Sequence, residues 1–247
     1  MKKIYITPSG TYNVLYRDML EQVHLLIGGT TGSGKSVVVN GILSTALLES
    51  PAKVRFILVD PKKVELVDYK FLPHTIAYAS EPDEMVKALE TAVKITDERY
   101  SEMQARRVKR YEGSDVYVVI DELADLLTTC EKAATPLLQR LCQIGRAARV
   151  HVIAATQRPT VDVVSAAITC NIDARLGLRC RNAQESRNII YDNGCEMLPR
   201  HGQGYYYTPE RMALKVIPMV DEAETRRLID YWEQPERKYT KRRLFAA

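Results

Sequence analysis

Apolar residues in this chain fall into short unbroken runs, separated by stretches in which they recur at every third or fourth position. Runs at 23–27, 54–59, 116–120 and 150–155 have almost no polar face, as expected of strands buried on both sides. Residues 174–179 read as a fifth strand, and 202–207 and 213–217 as two short ones. Helical spacing predicts helices over 37–48, 81–110, 135–148, 162–170, 182–191 and 221–232. Residues 62–78 carry Pro73 and little periodicity, and 1–22 read as a brief β-like lead-in with turn residues Pro8, Ser9 and Gly10. Strand and helix alternate, which predicts an α/β fold with a mostly parallel central sheet and helices on both faces.

The first strand and helix are joined by Gly29, Thr30, Thr31, Gly32, Ser33, Gly34, Lys35 and Ser36, which fit the P-loop pattern G-x-x-x-x-G-K-[ST] between the flanks it requires. Glycines allow a tight turn that points successive N–H groups at an anion, and the start of the helix adds its positive end. Phosphate suits such a loop. Lys35 is placed to reach the β- and γ-phosphates of ATP, and the Ser36 hydroxyl to ligate Mg²⁺.

The strand at 116–120 delivers Asp121 and Glu122, the Walker B form. Asp121 would hold Mg²⁺ through its water shell and Glu122 would orient or deprotonate the attacking water, although Asp-Glu at a strand end also suits a helix N-terminus. The strand at 150–155 ends in Thr156 and Gln157; an uncharged side chain there suits a γ-phosphate sensor or a strand cap, and Gln157 is the candidate.

Composition narrows the class. The chain has 247 residues, 46% hydrophobic and 27% charged, with a net charge of +4 that permits a polyanionic partner. No apolar stretch is long enough for direct membrane insertion and no signal peptide is visible, so the cytoplasm is the expected location. The five cysteines are odd in number and form no C-x-x-C, consistent with reduced packing residues. Arg99, Arg106, Arg107, Lys109 and Arg110 can face nucleic-acid phosphates or simply solvent, and Tyr205, Tyr206 and Tyr207 can stack on bases or pack internally. Residues 235–247 form a basic tail, with five basic side chains and no acid from Arg237 onward, that binds nucleic acid or is merely solvated.

Taken together, the loop GTTGSGKSVVVNGIL, the run LVDPKKVEL with Pro73-His74, VVIDELADLL, GRAARVHVIAATQRPTVDVV and IDARLGLRCRNAQESRNII resemble the motor domain of FtsK/SpoIIIE-type translocases. The resemblance implies a RecA-like ATPase domain over 23–234, assembling as a homo-oligomeric hexameric ring that pumps double-stranded DNA with MgATP. It also implies an arginine finger reaching a neighbour's nucleotide. Arg146 matches the position where relatives place an arginine after the preceding helix, with Arg149, Arg179 and Arg187 as alternatives. Chromosome-segregating relatives carry membrane helices, a linker and a DNA-reading winged helix, none of which is expected within this sequence. A compact relative acting in DNA transfer or mobilisation is expected, with partner proteins supplying membrane or DNA-reading parts. Type VII secretion ATPases share the core, so export of protein is the alternative function. Arg149 stands where many relatives have glycine.

Overall fold

The computed structural model describes residues 14–163 and 166–234. In chain order they form α1 (Val14–Glu21), β1 (Leu25–Gly28), α2 (Lys35–Ala46), β2 (Val54–Val59), β3 (Thr75–Ala79), α3 (Pro82–Arg106), β4 (Asp115–Ile120), α4 (Leu123–Ala148) and β5 (Val150–Thr156). There follow α5 (Ala166–Thr169), β6 (Ala174–Gly177), α6 (Ala183–Ile190), β7 (Gln203–Thr208), β8 (Arg211–Val216) and α7 (Glu222–Glu233). One sheet runs β3-β2-β4-β5-β1-β6-β7-β8. Its first six members are parallel and the β7–β8 hairpin is antiparallel, so the expected fold class holds.

Alternation across the sheet explains the unbroken apolar runs, because successive side chains of a strand point to opposite faces and both faces are covered. Tyr117 and Val119 of β4 pack with Tyr16, Val38, Ile42 and Trp232 of α1, α2 and α7. Val118 and Ile120 pack instead with Leu89, Ala92, Leu138 and Leu141 of α3 and α4.

Several elements differ from expectation. Residues 14–21 of the lead-in form a helix, not β structure: α1 buries Tyr16 and Met19, and the Tyr16 ring lies so close to Gly41 of α2 that a Cβ there would come within 2.3 Å of it. Residues 1–13 of the lead-in and 235–247 of the basic tail lie outside the described residues. β3 is a half-buried edge strand whose mixed exposure gave no period to read. α4 starts twelve residues early, immediately after Glu122, with a break at Cys130 (φ −130°, ψ 23°) upstream of Pro136. Of the helix expected at 162–170, only the single turn α5 forms among the described residues.

Arg99 is buried, and its Nη1 donates to the carbonyls of Ala148 (2.7 Å) and Arg149 (3.2 Å), closing the end of α4. Arg106 pairs with Glu102 and Glu112. Tyr206 is buried in the α2-side core, while Tyr205 and Tyr207 pack against the small cluster under α6. Arg149 occupies the left-handed region (φ 56°) at the end of α4, a conformation that favours glycine. Its guanidinium grips Asp115 at 2.8 and 2.5 Å, a compensation glycine could not supply.

Two buried histidines should make the fold acid-sensitive. His74 is sandwiched between Phe56 and Trp232, its Nε2 donating to Glu49 O at 3.0 Å. Burial pushes it down to about 4, and His24 down to about 3. Both folded-state values lie below the ordinary 6.5, so the unfolded chain takes up protons first as pH falls. Their contribution is complete above the ordinary value and drains away towards the folded ones. Each histidine should cost about 1.4 kcal/mol per pH unit across that window. Urea midpoints should therefore drop between neutral pH and mildly acidic buffer, and His74→Asn should flatten the drop; an unchanged slope in that variant would refute the assignment.

Candidate functional site

Strand register assembles the site. Gly28 lies beside Thr156, Ile120 beside Ala154 and Val59 beside Ile120, so the residues following β1, β2, β4 and β5 emerge together at the carboxyl end of the sheet. Two positions beyond the Ile120–Ala154 pair stand Glu122 and Thr156. Glu122 is almost fully buried; its Oε1 accepts from Thr156 Oγ1 (2.9 Å) and the Gln157 N–H (3.0 Å), and its Oε2 accepts from Lys62 Nζ at 3.2 Å. Glu122 occupies the N-cap position of α4, yet its side chain makes no capping bond. The carboxylate is committed to the site rather than to the helix.

The loop after β1 turns at Gly32 (φ 72°) and Gly34 (φ 98°). Gly29 sits where a Cβ would fall 2.8 Å from Leu178 Cβ, so the loop can lie on the end of β6 only with glycine there. Thr30 N–H and Oγ1 both bond Arg179 O, at 2.8 and 3.1 Å, and tie the loop to that strand end. Lys35 curls back over the loop, its Nζ donating to Gly29 O (2.7 Å) and Thr30 O (2.9 Å). Burial lowers the Lys35 ammonium to about 8, against the raising influence of Glu122 and Asp121. Gln157 joins the two halves: its Oε1 accepts from Thr31 Oγ1 at 2.6 Å while its N–H serves Glu122. Thr30, Thr31, Lys62, Glu122, Gln157 and Arg179 line a cavity of about 620 Å³.

Asp121 follows directly after β4, its N–H bonded to Val59 O at 3.0 Å. Its carboxyl is pushed up to about 7 by burial, then by the charges of Glu65 and Asp60. Ser36 donates to Glu65 Oε1 at 2.7 Å. This is an oxygen-rich, negatively crowded corner of the kind a hard divalent cation relieves. Among the described residues no three acidic, His or Cys side chains form a ready metal cage.

The expected residues of the loop, with Asp121, Glu122 and Gln157, are thus brought together. Arg146 is not. It is exposed in the last turn of α4, and its charge acts on His24, which precedes β1 at the opposite end of the sheet from the loop. Its three rivals are engaged within the chain: Arg149 with Asp115, Arg179 with Leu198 O, and Arg187 with Gln184 and Asn193. Lys62 and Glu65 were not expected from the sequence. Both lie in the segment after β2, and a polar segment following a buried parallel strand is the signal that could have found them.

The FtsK/SpoIIIE family model matches residues 3–117 and 112–161. A DNA translocase FtsK of Lactococcus lactis subsp. cremoris is 38% identical over 207 residues, covering 75% of this chain and 27% of its own length. One from Helicobacter pylori is 34% identical over 247 residues, covering 93% of this chain and 29% of its own. The chain thus spans somewhat more than a quarter of these curated relatives. Among solved structures, the pCW3 conjugation coupling protein TcpA, in a monomer form with ATPγS, matches with TM-score 0.75 at 22% identity over 87% of this chain and 66% of that one. The cytoplasmic domain of the Thermomonospora curvata Type VII secretion ATPase EccC matches with TM-score 0.70 at 23% identity, over 83% of this chain and 28% of that one. At such identities these two establish the fold alone.

Proposed function

Since the chain belongs to the FtsK/SpoIIIE family, we propose that it hydrolyses ATP and uses the energy to move along double-stranded DNA, in DNA transfer or mobilisation. The observation that carries this reading is the Glu122 carboxylate, fixed by Thr156 and Gln157 beside the phosphate-binding loop. A loop that only held nucleotide would have no use for a buried, oriented base. In this reading Lys35 leaves the Gly29 and Thr30 carbonyls to engage the β- and γ-phosphates, and the loop N–H groups cradle them. Glu122 orients the attacking water and accepts its proton. Gln157 touches both the loop and the base, so it is the side chain suited to report the γ-phosphate. Ser36 and Asp121 would hold Mg²⁺, which when bound neutralises charge on the phosphates.

The reading extends to a hexameric ring with nucleotide at subunit boundaries. Arg146 is exposed and too far from its own loop to act in cis, which fits a finger offered to a neighbour. Mixing wild-type subunits with Arg146→Ala subunits should depress ATP turnover below the value for simple dilution. Strictly proportional loss would sink the trans role.

Contacts to DNA are expected to be largely with phosphate, hence salt-sensitive. The test is steady-state ATP hydrolysis with and without long linear duplex at low and moderate salt, with Lys35→Ala as the blank. Stimulation by duplex that fades with salt is the expected result. Robust turnover indifferent to DNA would contradict it and favour a polypeptide cargo, as in secretion ATPases. The cytoplasm remains the proposed location; no described helix is long and apolar enough to cross a membrane.

A further inference from the structure

The segment following β2 reaches into the nucleotide site at two points, Lys62 and Glu65, and Glu65 touches the side chain that the P-loop reserves for a divalent cation. Ser36 Oγ donates its proton to Glu65 Oε1 at 2.7 Å. A hydroxyl that gives its proton to a carboxylate on one side keeps its lone pairs for a metal on the other. Partners of this kind fix the orientation of a ligand and raise its basicity.

The backbone that carries Glu65 is tied down on either side. The chain turns at Lys63, whose backbone is left-handed (φ 58°), and Lys63 N–H closes the turn on Asp60 O at 3.1 Å. Asp60, fully buried, accepts the Leu66 N–H at 3.1 Å and the Tyr78 hydroxyl at 3.2 Å through Oδ2. Leu66 is buried, which anchors the residue next to Glu65 in the core. One helical turn beyond Ser36, on the same face of α2, Asn40 Oδ1 accepts from Tyr69 Oη at 2.7 Å. The segment therefore docks on α2 by two side-chain bonds, and the backbone on both sides of Glu65 is pinned. Asp60 Oδ1 is buried with no hydrogen-bond partner among the described residues. Glu65 and Asp60 both act electrostatically on Asp121.

We propose that Glu65 is a positioning residue of the divalent-cation site: it orients the Ser36 hydroxyl toward the cation and adds a carboxylate facing the cation's water shell. This rests on the ATPase reading above. It explains why Ser36 bonds a half-buried acid instead of a backbone carbonyl of its own helix. The acid adds negative charge beside Asp121, which a divalent cation would offset.

The test measures metal, not turnover. Binding of a fluorescent non-hydrolysable ATP analogue is titrated with Mg²⁺ in wild type, Glu65→Gln and Glu65→Ala, and again in EDTA, with Mn²⁺ binding followed by electron paramagnetic resonance. In Glu65→Ala the Mg²⁺ concentration at half-effect should rise roughly ten- to a hundred-fold, the usual cost of losing such a partner. Affinity in EDTA should change little. Glu65→Gln, which still accepts a hydrogen bond but carries no charge, should fall between; it also serves if the alanine variant does not fold. A Mg²⁺ midpoint equal to wild type in both variants would overturn the proposal. Equal loss of binding with and without metal would also overturn it, by making Glu65 a structural prop. A wild-type chain that binds no analogue, or binds it identically to Lys35→Ala, would instead refute the ATPase reading beneath it.

Discussion

Replacing Glu122 by Gln should leave ATP bound and lower its hydrolysis by about 10²- to 10⁴-fold, the range expected for loss of a positioned general base. The substitution is nearly isosteric, and the hydrogen bonds around it predict that the side chain stays in place. Thr156 Oγ1 and the Gln157 N–H both donate to Oε1, which a Gln carbonyl oxygen can still accept. At Oε2 the Lys62 interaction and the second, shared contact of the Gln157 N–H at 3.1 Å are lost, since an amide NH₂ cannot accept either proton. Lys62 retains Asp125 at 3.6 Å, so it is not stranded. Binding should therefore survive while the base disappears. Rapid-quench hydrolysis combined with equilibrium binding of a fluorescent ATP analogue checks both halves; wild-type turnover in this variant would show that another group activates the water.

The second large effect is at Lys35. Its ammonium is held between Gly29 O and Thr30 O, one donor bond to each. It is buried beside Asp121 and Glu122, whose charges favour the protonated form. Removing a positioned cation from developing phosphate charge costs roughly 10²- to 10³-fold in rate. Lys35→Ala also removes the group that offsets two neighbouring acids. Both binding and turnover should fall, unlike the Glu122 variant, in which they separate. The contrast can be read from analogue affinity and initial rates on the same preparations. Lys35→Ala with unimpaired affinity and rate would mean that the loop is not a phosphate site.

Much of the fold was legible because its strands are buried on both faces. Unbroken apolar runs are hard to mistake, and four of them became β1, β2, β4 and β5. β3 was hidden for the opposite reason: it is an edge strand with four of its five residues only half-buried, which leaves no period. α1 was hidden because eight residues span barely two turns, and an apolar stripe that short is as easily read as alternation. The start of α4 lay under the Asp121-Glu122 signature, where a chemical motif and a helix N-terminus share the same residues.

At the site, the loop, Asp121, Glu122 and Gln157 could be read from strand ends because parallel topology gathers those ends on one edge of the sheet. The bonds that connect them could not. Thr156 meets Glu122 only through the register of β4 on β5, and Glu65 meets Ser36 only through the left-handed turn at Lys63. Neither register nor a positive φ at lysine leaves a mark in composition. The occupant of position 149 shows the same limit from the other side. A left-handed helix end predicts glycine there, and arginine is accommodated because Asp115, distant in sequence, answers its side chain.

The most direct test of the central claim is displacement of a triplex-forming oligonucleotide from a linear duplex, followed with ATP, with a non-hydrolysable analogue and with the Glu122→Gln variant. Movement along DNA driven by hydrolysis predicts release with ATP and wild-type protein alone. Vigorous DNA-stimulated hydrolysis that leaves the triplex in place would contradict translocation, whatever the site does with its nucleotide.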